Sequence, residues 1–168
     1  MSEDTRTVWQ GRYIVAKQRG QWEWAARARN IGAAVILAME DGHVLLVEQY
    51  RVPLGRRCLE LPAGLVGDET AGEAVVQSAA RELEEETGYR AERIDVIGEF
   101  ASSPGMVGET FTLVRAHGLS KVGAGGGVPG EEIVVHRVPL DNIGEFIAAK
   151  RGEGVVMDVK LLALLAFA

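Results

Sequence analysis

Residues 81–89 read RELEEETGY and follow the stretch AVVQSAA at residues 74–80. At about 100° per residue, a helix through this segment gathers Glu82, Glu85 and Glu86 on one stripe, within roughly 100° of one another. Val76, Ala80, Leu83 and Thr87 fall on the adjoining sector, the expected core face, while Glu84 points away to solvent. Glu73 to Thr87 is the expected helix, ended by Gly88 as a left-handed cap. Carboxylates at this spacing repel one another, and Arg81 is the only cation between residues 73 and 89. Two readings stand at this point. The stripe is either a solvated acidic face, or a site where hard divalent cations bound through carboxylate oxygens relieve the repulsion.

The rest of the chain narrows the choice. Its 168 residues, 47 % hydrophobic and 25 % charged, describe one soluble globular unit with enough length for a full core. A net charge of −6 argues against a nucleic-acid-binding surface. It also requires that an anionic substrate be met by specific cations or by metal ions. Cys58 is the single cysteine, which rules out an internal disulfide and fits a reducing compartment. MSEDTRTVWQ at the start has no apolar signal region, and no run reaches the roughly 18 residues of a spanning helix. A cytoplasmic protein without membrane partners is therefore expected.

Outward from the helix, strands and tight turns dominate. Residues 11–20 and 21–30 read as two strands about a glycine-containing turn. AAVILAM (33–39) and HVLLVEQYR (43–51) flank Glu40-Asp41-Gly42 and read as a hairpin, because Asp-Gly suits a turn that needs positive φ. LELPAGLVGDETAG (59–72) reads as a loop, with Pro62 blocking regular structure. RIDVIGEFA (93–101) and ETFTLVRAHG (109–118) are expected strands around the loop SSPGMVG. KVGAGGGVPG (121–130) is expected to be flexible, EIVVHRVPL (132–140) to be a strand, and two helical segments to begin near Asp141 and Asp158. Strands interleaved with a few helices imply a mixed α/β domain around a central sheet. His43, His117 and His136 lie on strand-like segments and read as structural. The GAGGG run neither follows a βα turn nor precedes a helix, so its likeness to a phosphate loop is superficial.

The wider spacing is more specific. Gly67, five residues, Glu73, seven residues, Arg81-Glu82-Leu83, one residue, Glu85-Glu86, one residue and Gly88-Tyr89 together resemble the signature box of the Nudix hydrolase family. EQYR (48–51), LELPAG (59–64), SSPG (102–105), EEIVVHRVPL (131–140) and VVMDVK (155–160) are similar to its ADP-ribose pyrophosphatase branch. The likeness spans roughly residues 40 to 165 and is loose before that. In that branch the glycine of LPAG usually serves as the box glycine. Here Gly64 lies three residues too early and Gly67 satisfies the count, so a three-residue insertion is inferred.

The resemblance implies a Nudix fold, a mixed central sheet flanked by helices in an α/β/α sandwich, with a small N-terminal β-subdomain. Residues 1–30 would serve dimerisation and base stacking, and residues 31–168 would be the hydrolase domain. The implied reaction is hydrolysis of the pyrophosphate bond of ADP-ribose or a related nucleoside diphosphate sugar. GDP-mannose or another nucleotide sugar, or an idle nucleotide-metabolite-binding module, are the alternatives. Glu82, Glu85 and Glu86, with the backbone of Ala63, would hold Mg²⁺, with Mn²⁺ as a substitute. Arg81 and Glu73 would orient those carboxylates. The general base would be Glu131 or Glu132, delivered by the glycine-rich loop, with Glu109 a further acidic candidate. Arg51 would hold a phosphate, and Trp9, Trp22, Pro104 and Gly105 would contact substrate, in a site shared across a homodimer.

Overall fold

The computed structural model describes residues 4–29, 31–67 and 74–167. Three strands open the chain: β1 (Arg6–Gln10), β2 (Ile14–Arg19) and β3 (Trp22–Arg27), which pair in that order as an antiparallel sheet of their own. The hairpin β4 (Gly32–Glu40) and β5 (His43–Arg51) comes next. Its tip residues Asp41 and Gly42 both take positive φ, 49° and 70°, as an Asp-Gly turn requires. β6 (Arg56–Glu60) and β7 (Ala63–Val66) precede the helix α1 (Val75–Thr87). Then come β8 (Tyr89–Arg90), β9 (Arg93–Ala101), β10 (Thr110–His117), β11 (Ser120–Lys121) and β12 (Val134–Pro139). The chain closes with α2 (Ile143–Gly152), β13 (Val156–Met157), a 3-10 turn (Val159–Ala163) and α3 (Leu164–Phe167).

The main sheet runs β13-β6-β5-β4-β10-β9, with β12 on β5 and β7 on β4. β4 lies at its centre and alternates between two cores. Ala34, Ile36 and Ala38 pack with Ala79 and Leu83 of α1 and with Val114 and Ala116 of β10. Val35, Leu37 and Met39 face the other way, onto Leu46, Leu59, Leu61 and the C-terminal Leu161 and Leu164, with α2 packed behind them. A strand covered on both faces reads as a continuous apolar run, as AAVILAM does. The result is the expected α/β/α sandwich.

The β4–β5 hairpin is short of rungs. Only Met39↔Val44 and Glu40↔His43 pair across it. Beyond them β5 leaves β4 to pair with β6 and β12, and β7 takes over the free edge of β4 from Gly32↔Val66 to Val35↔Ala63. The two strands therefore part like an open fork. β7 was expected to be loop, because Pro62 and the glycines around it are turn signals; the long-range ladder on β4 overrides them. β1 carries no burial pattern, all five residues being exposed, and so left no periodic signal in the sequence.

The first three strands attach in cis to the loop after β9. Ala25 N–H donates to the Met106 carbonyl at 3.0 Å, and Gly108 N–H to the Ala25 carbonyl at 2.9 Å.

Candidate active site

The parting of β4 from β5 opens a cleft of about 480 Å³, lined by Ala33 and Val35 on one strand and Gln49 and Arg51 on the other. α1 lies along it. The helix is turned relative to the expected face: its buried residues are Ser78, Ala79, Leu83, Glu86 and Thr87, while Val76 and Ala80 are exposed. Glu86 is thus drawn to the edge of the core, only 6 % exposed, with Glu82 and Glu85 beside it on the cleft wall. Glu84 points elsewhere and pairs with Arg90 at 3.0 Å.

β7 meets these carboxylates directly. Ala63 N–H donates to Glu86 Oε2 at 3.0 Å. Gly64 lies so close to Glu82 that a Cβ there would stand 1.9 Å from its carboxyl carbon, so no other residue fits without moving that side chain. Gly64 therefore abuts the stripe directly. Gly67 is a turn with φ 79° at the end of the strand, and Glu73 lies outside the described residues.

The electrostatics are those of crowded acids. Burial, then the neighbouring Glu85 and Glu131, push the Glu82 carboxyl up to about 7, against the opposing pull of Arg81. Burial also raises Glu86 to about 8, with Glu82 and Glu131 adding to the shift and the Ala63 N–H and Arg51 opposing it. Arg81 bridges the stripe, 3.0 Å from Glu82 and 3.2 Å from Glu85. Among the described residues no three acidic, His or Cys side chains are gathered in metal-ligand fashion. The carboxylate oxygens on this wall are nevertheless of the type a hard divalent cation takes as ligands. Glu82 and Glu86 share a partly buried wall, where burial and the neighbouring carboxylates favour their protonated forms.

Arg51 forks onto Glu60, Nε to Oε1 at 2.6 Å and Nη2 to Oε2 at 2.8 Å. The guanidinium is fixed with N–H groups left over for the cleft. Glu131 also lines the cleft, and its Oε2 accepts from Val128 N–H at 3.0 Å. Glu132 does not line it: its φ is 50° and its carbonyl faces Arg57. Glu109 is in the cleft, paired to Arg27 of β3. Trp9, Trp22, Pro104 and Gly105 are not part of the wall; both tryptophans are exposed, 56 % and 65 %. The histidines are elsewhere. His136, for one, bonds the buried Glu48 at 3.0 Å and meets Phe146 edge-on.

Sequence reasoning missed Arg27, Lys160 and Phe111, all on the cleft wall. Lys160 Nζ pairs with Asp158 at 2.6 Å and lies 5.9 Å from the Phe111 ring centroid. The only signal for Lys160 was its place in VVMDVK.

A helix that lays a carboxylate stripe into a cleft opposite fixed arginines, on an α/β/α sandwich, suits an anionic ligand met by arginines and a divalent cation. The family model described as NUDIX domain matches residues 28–159, and the chain belongs to that family. It is 35 % identical over 155 residues to a methanol dehydrogenase activator of Bacillus methanolicus, covering 88 % of this chain and 82 % of the relative. It is 43 % identical over 95 residues to an ADP-ribose pyrophosphatase of Mycobacterium tuberculosis, covering 56 % of this chain and 45 % of the relative. It thus spans less than half of that pyrophosphatase. A solved structure titled an ADP compounds hydrolase superposes with a TM-score of 0.74 at 23 % identity, over 99 % of this chain and 91 % of that one, and shares the fold.

Proposed function

We infer that this Nudix hydrolase splits the pyrophosphate bond of ADP-ribose or a related nucleoside diphosphate sugar, giving a nucleoside monophosphate and a sugar phosphate. One observation carries the reading: Glu82, Glu85 and Glu86 share a single cleft with Arg51 and Glu131, which come from distant stretches of chain. Glu82, Glu85 and Glu86, with Ala63, would hold Mg²⁺, or Mn²⁺ in its place. A divalent cation held there would supply positive charge to the phosphates, lower the pKa of the attacking water and stabilise the leaving phosphate.

The chain's own residues do the rest. Arg51, braced by Glu60, offers its remaining N–H groups to a phosphate. Arg81 orients Glu82 and Glu85. Glu131 takes the proton of the attacking water. Glu109, held by Arg27, shapes the end of the cleft nearest the N-terminal sheet. That sheet exposes Val8, Trp9, Tyr13 and Trp22, and a second copy of the chain would cover them and let the tryptophans stack on a base, the role expected of residues 1–30. The active form on this reading is a homodimer. A cytoplasmic setting suits the single Cys58, which is buried in the core with its thiol pushed up to about 12, chiefly by that burial. Among the described residues no helix is long and apolar enough to cross a membrane.

The test is a panel of nucleoside diphosphate sugars with Mg²⁺, including ADP-ribose and GDP-mannose, with products identified by chromatography. ADP-ribose should give AMP and ribose 5-phosphate. Turnover of GDP-mannose alone would move the assignment to that substrate, and binding without turnover across the panel would leave a nucleotide-binding module.

A further inference from the structure

The glycine-rich stretch at residues 121–130 has the composition of a flexible loop, yet most of it is tied down. Val122 and Gly123 N–H groups both donate to the Gly88 carbonyl, at 2.8 and 3.0 Å. Gly126 N–H donates to the carbonyl of Glu86 at 2.8 Å, and Gly127 N–H to that of Glu85 at 3.0 Å. The last carbonyls of a helix have no partner within it, and here the loop supplies their donors. The two carbonyls chosen belong to the two consecutive glutamates of the acidic stripe.

The same piece of backbone also sets Glu131. Ile133 N–H donates to the Gly126 carbonyl at 3.2 Å and closes the loop at its neck. The tip between is a turn, with Glu131 N–H on the Val128 carbonyl at 3.1 Å and the Glu131 carboxylate on Val128 N–H. Gly126 therefore donates to the residue that carries one carboxylate and accepts from the neck of the turn that carries the other.

Only glycine fits at the centre of this contact. Gly125 has φ +70°, and a Cβ there would stand 2.4 Å from the Thr87 carbonyl carbon and 2.7 Å from the Glu86 carbonyl oxygen. Both obstacles are helix backbone, which cannot swing aside. Gly123, two residues earlier, meets nothing closer than the Gly88 Cα at 3.9 Å and does not have a left-handed φ.

We propose that Gly125, Gly126 and Gly127 are positioning residues: a backbone clamp that fixes the carboxylates of α1 and Glu131 relative to one another across the cleft. The proposal rests on the hydrolase reading above only for the role of Glu131. None of the three glycines lines the cleft. Its effect is on geometry, and a displacement of about 1 Å between reacting groups can cost on the order of a hundredfold in rate.

The experiment compares Gly125→Ala with Gly123→Ala in the full chain, by amide hydrogen exchange, Mn²⁺ titration calorimetry and steady-state kinetics. In Gly125→Ala the amides of Gly126, Gly127 and Ile133 should exchange faster while those of β4 keep their protection. Mn²⁺ affinity should fall by about tenfold and turnover by about 30-fold or more, with KM nearly unchanged. Gly123→Ala should match the wild type on every measure. Freed amides with wild-type Mn²⁺ affinity and turnover would overturn the clamp, as would amides that stay protected in Gly125→Ala. If the wild type hydrolyses nothing on the panel, the functional reading falls, and exchange with Mn²⁺ affinity still decides the clamp. Should Gly125→Ala fail to fold, Gly127→Ala takes its place. Its Cβ would meet the Glu131 carboxylate at 2.3 Å rather than helix backbone, so it presses on the Glu131 end first, while its φ of +77° also strains the bond to the Glu85 carbonyl.

Discussion

Replacing Glu86 by glutamine should make the metal-free protein more stable and the enzyme nearly dead. The Glu86 carboxyl is 6 % exposed and its folded pKa is raised from the ordinary 4.5 to about 8, first of all by burial. A raised folded value means that the native state binds this proton more tightly than the unfolded chain does. Stability from this group is therefore full below pH 4.5, falls as pH rises, and is lost by about pH 8. The gap between the two values corresponds to about 4–5 kcal/mol at about 1.4 kcal/mol per pH unit. That is a large share of the roughly 5–15 kcal/mol that holds a domain together. At about 2–4 °C per kcal/mol for a chain of this length, metal-free wild type should melt on the order of 10 °C lower at pH 8.5 than at pH 5.5. The substituted glutamine keeps an amide oxygen to accept the Ala63 N–H and carries no charge. Glu86→Gln should accordingly lose most of that pH dependence and melt above wild type at pH 8.5, with the two nearly equal at pH 5.5. Added Mg²⁺ should raise wild type at pH 8.5 by mass action and move the variant little. Turnover should drop at least about a hundredfold. Scanning calorimetry in chelator at both pH values, followed by assay in Mg²⁺, checks both halves. A variant that tracks wild type at both pH values would refute the burial argument. Near-normal turnover would refute the metal assignment.

Other outcomes are expected on the same footing. Glu131→Gln should lose about 10²–10⁴ in turnover with little change in KM, while Glu132→Gln stays close to wild type; if only Glu109→Gln loses turnover, the base lies beside the loop after β9 instead. Arg51→Ala would strand Glu60, whose side chain is 5 % exposed, and should cost about 3–5 kcal/mol of stability. Arg51→Lys is the cleaner probe: it should raise KM about tenfold at most with the fold intact, read from kinetics beside a thermal melt. Light scattering at micromolar concentration should give about twice the 18.1 kDa chain mass. Replacing Trp9 and Trp22 together by serine should shift it toward the monomer, and a fully active wild-type monomer would contradict the shared site.

Much of this was legible from local chemistry. Asp41-Gly42 announced the hairpin because both residues must take positive φ, and Gly88 announced the end of α1 for the same reason. The spacing of Glu82, Glu85 and Glu86 put them on one stripe, since helical periodicity is a property of the backbone. The orientation of α1 was not legible: Val76 and Ala80 looked inward by apolarity, yet Ser78 is buried instead because its hydroxyl finds the Leu65 carbonyl at 2.9 Å. Arg27 and Lys160 reach the cleft only through tertiary packing; nothing beside Arg27 in sequence marks it, and Lys160 had only its place in VVMDVK. The glycine-rich stretch misled in a further way. Composition speaks for the freedom of the unfolded chain, and here that freedom is what allows the backbone to press against helix carbonyls.

The fork between β4 and β5 has a bearing on how such a protein changes over generations. Its opening is set by where two strands stop pairing, and backbone ladders on β7, β6 and β12 hold it apart. Backbone pairing, more than the exposed side chains of the wall, thus props the cavity open. Ser102, exposed on the wall and outside both cores, can be exchanged with little structural penalty as selection shifts from one ligand to another, whereas Glu60 cannot, since Arg51 depends on it. The chain separates what must persist from what is free to drift within a few ångströms of the same cleft. This is one physical route by which a single architecture comes to host many substrates.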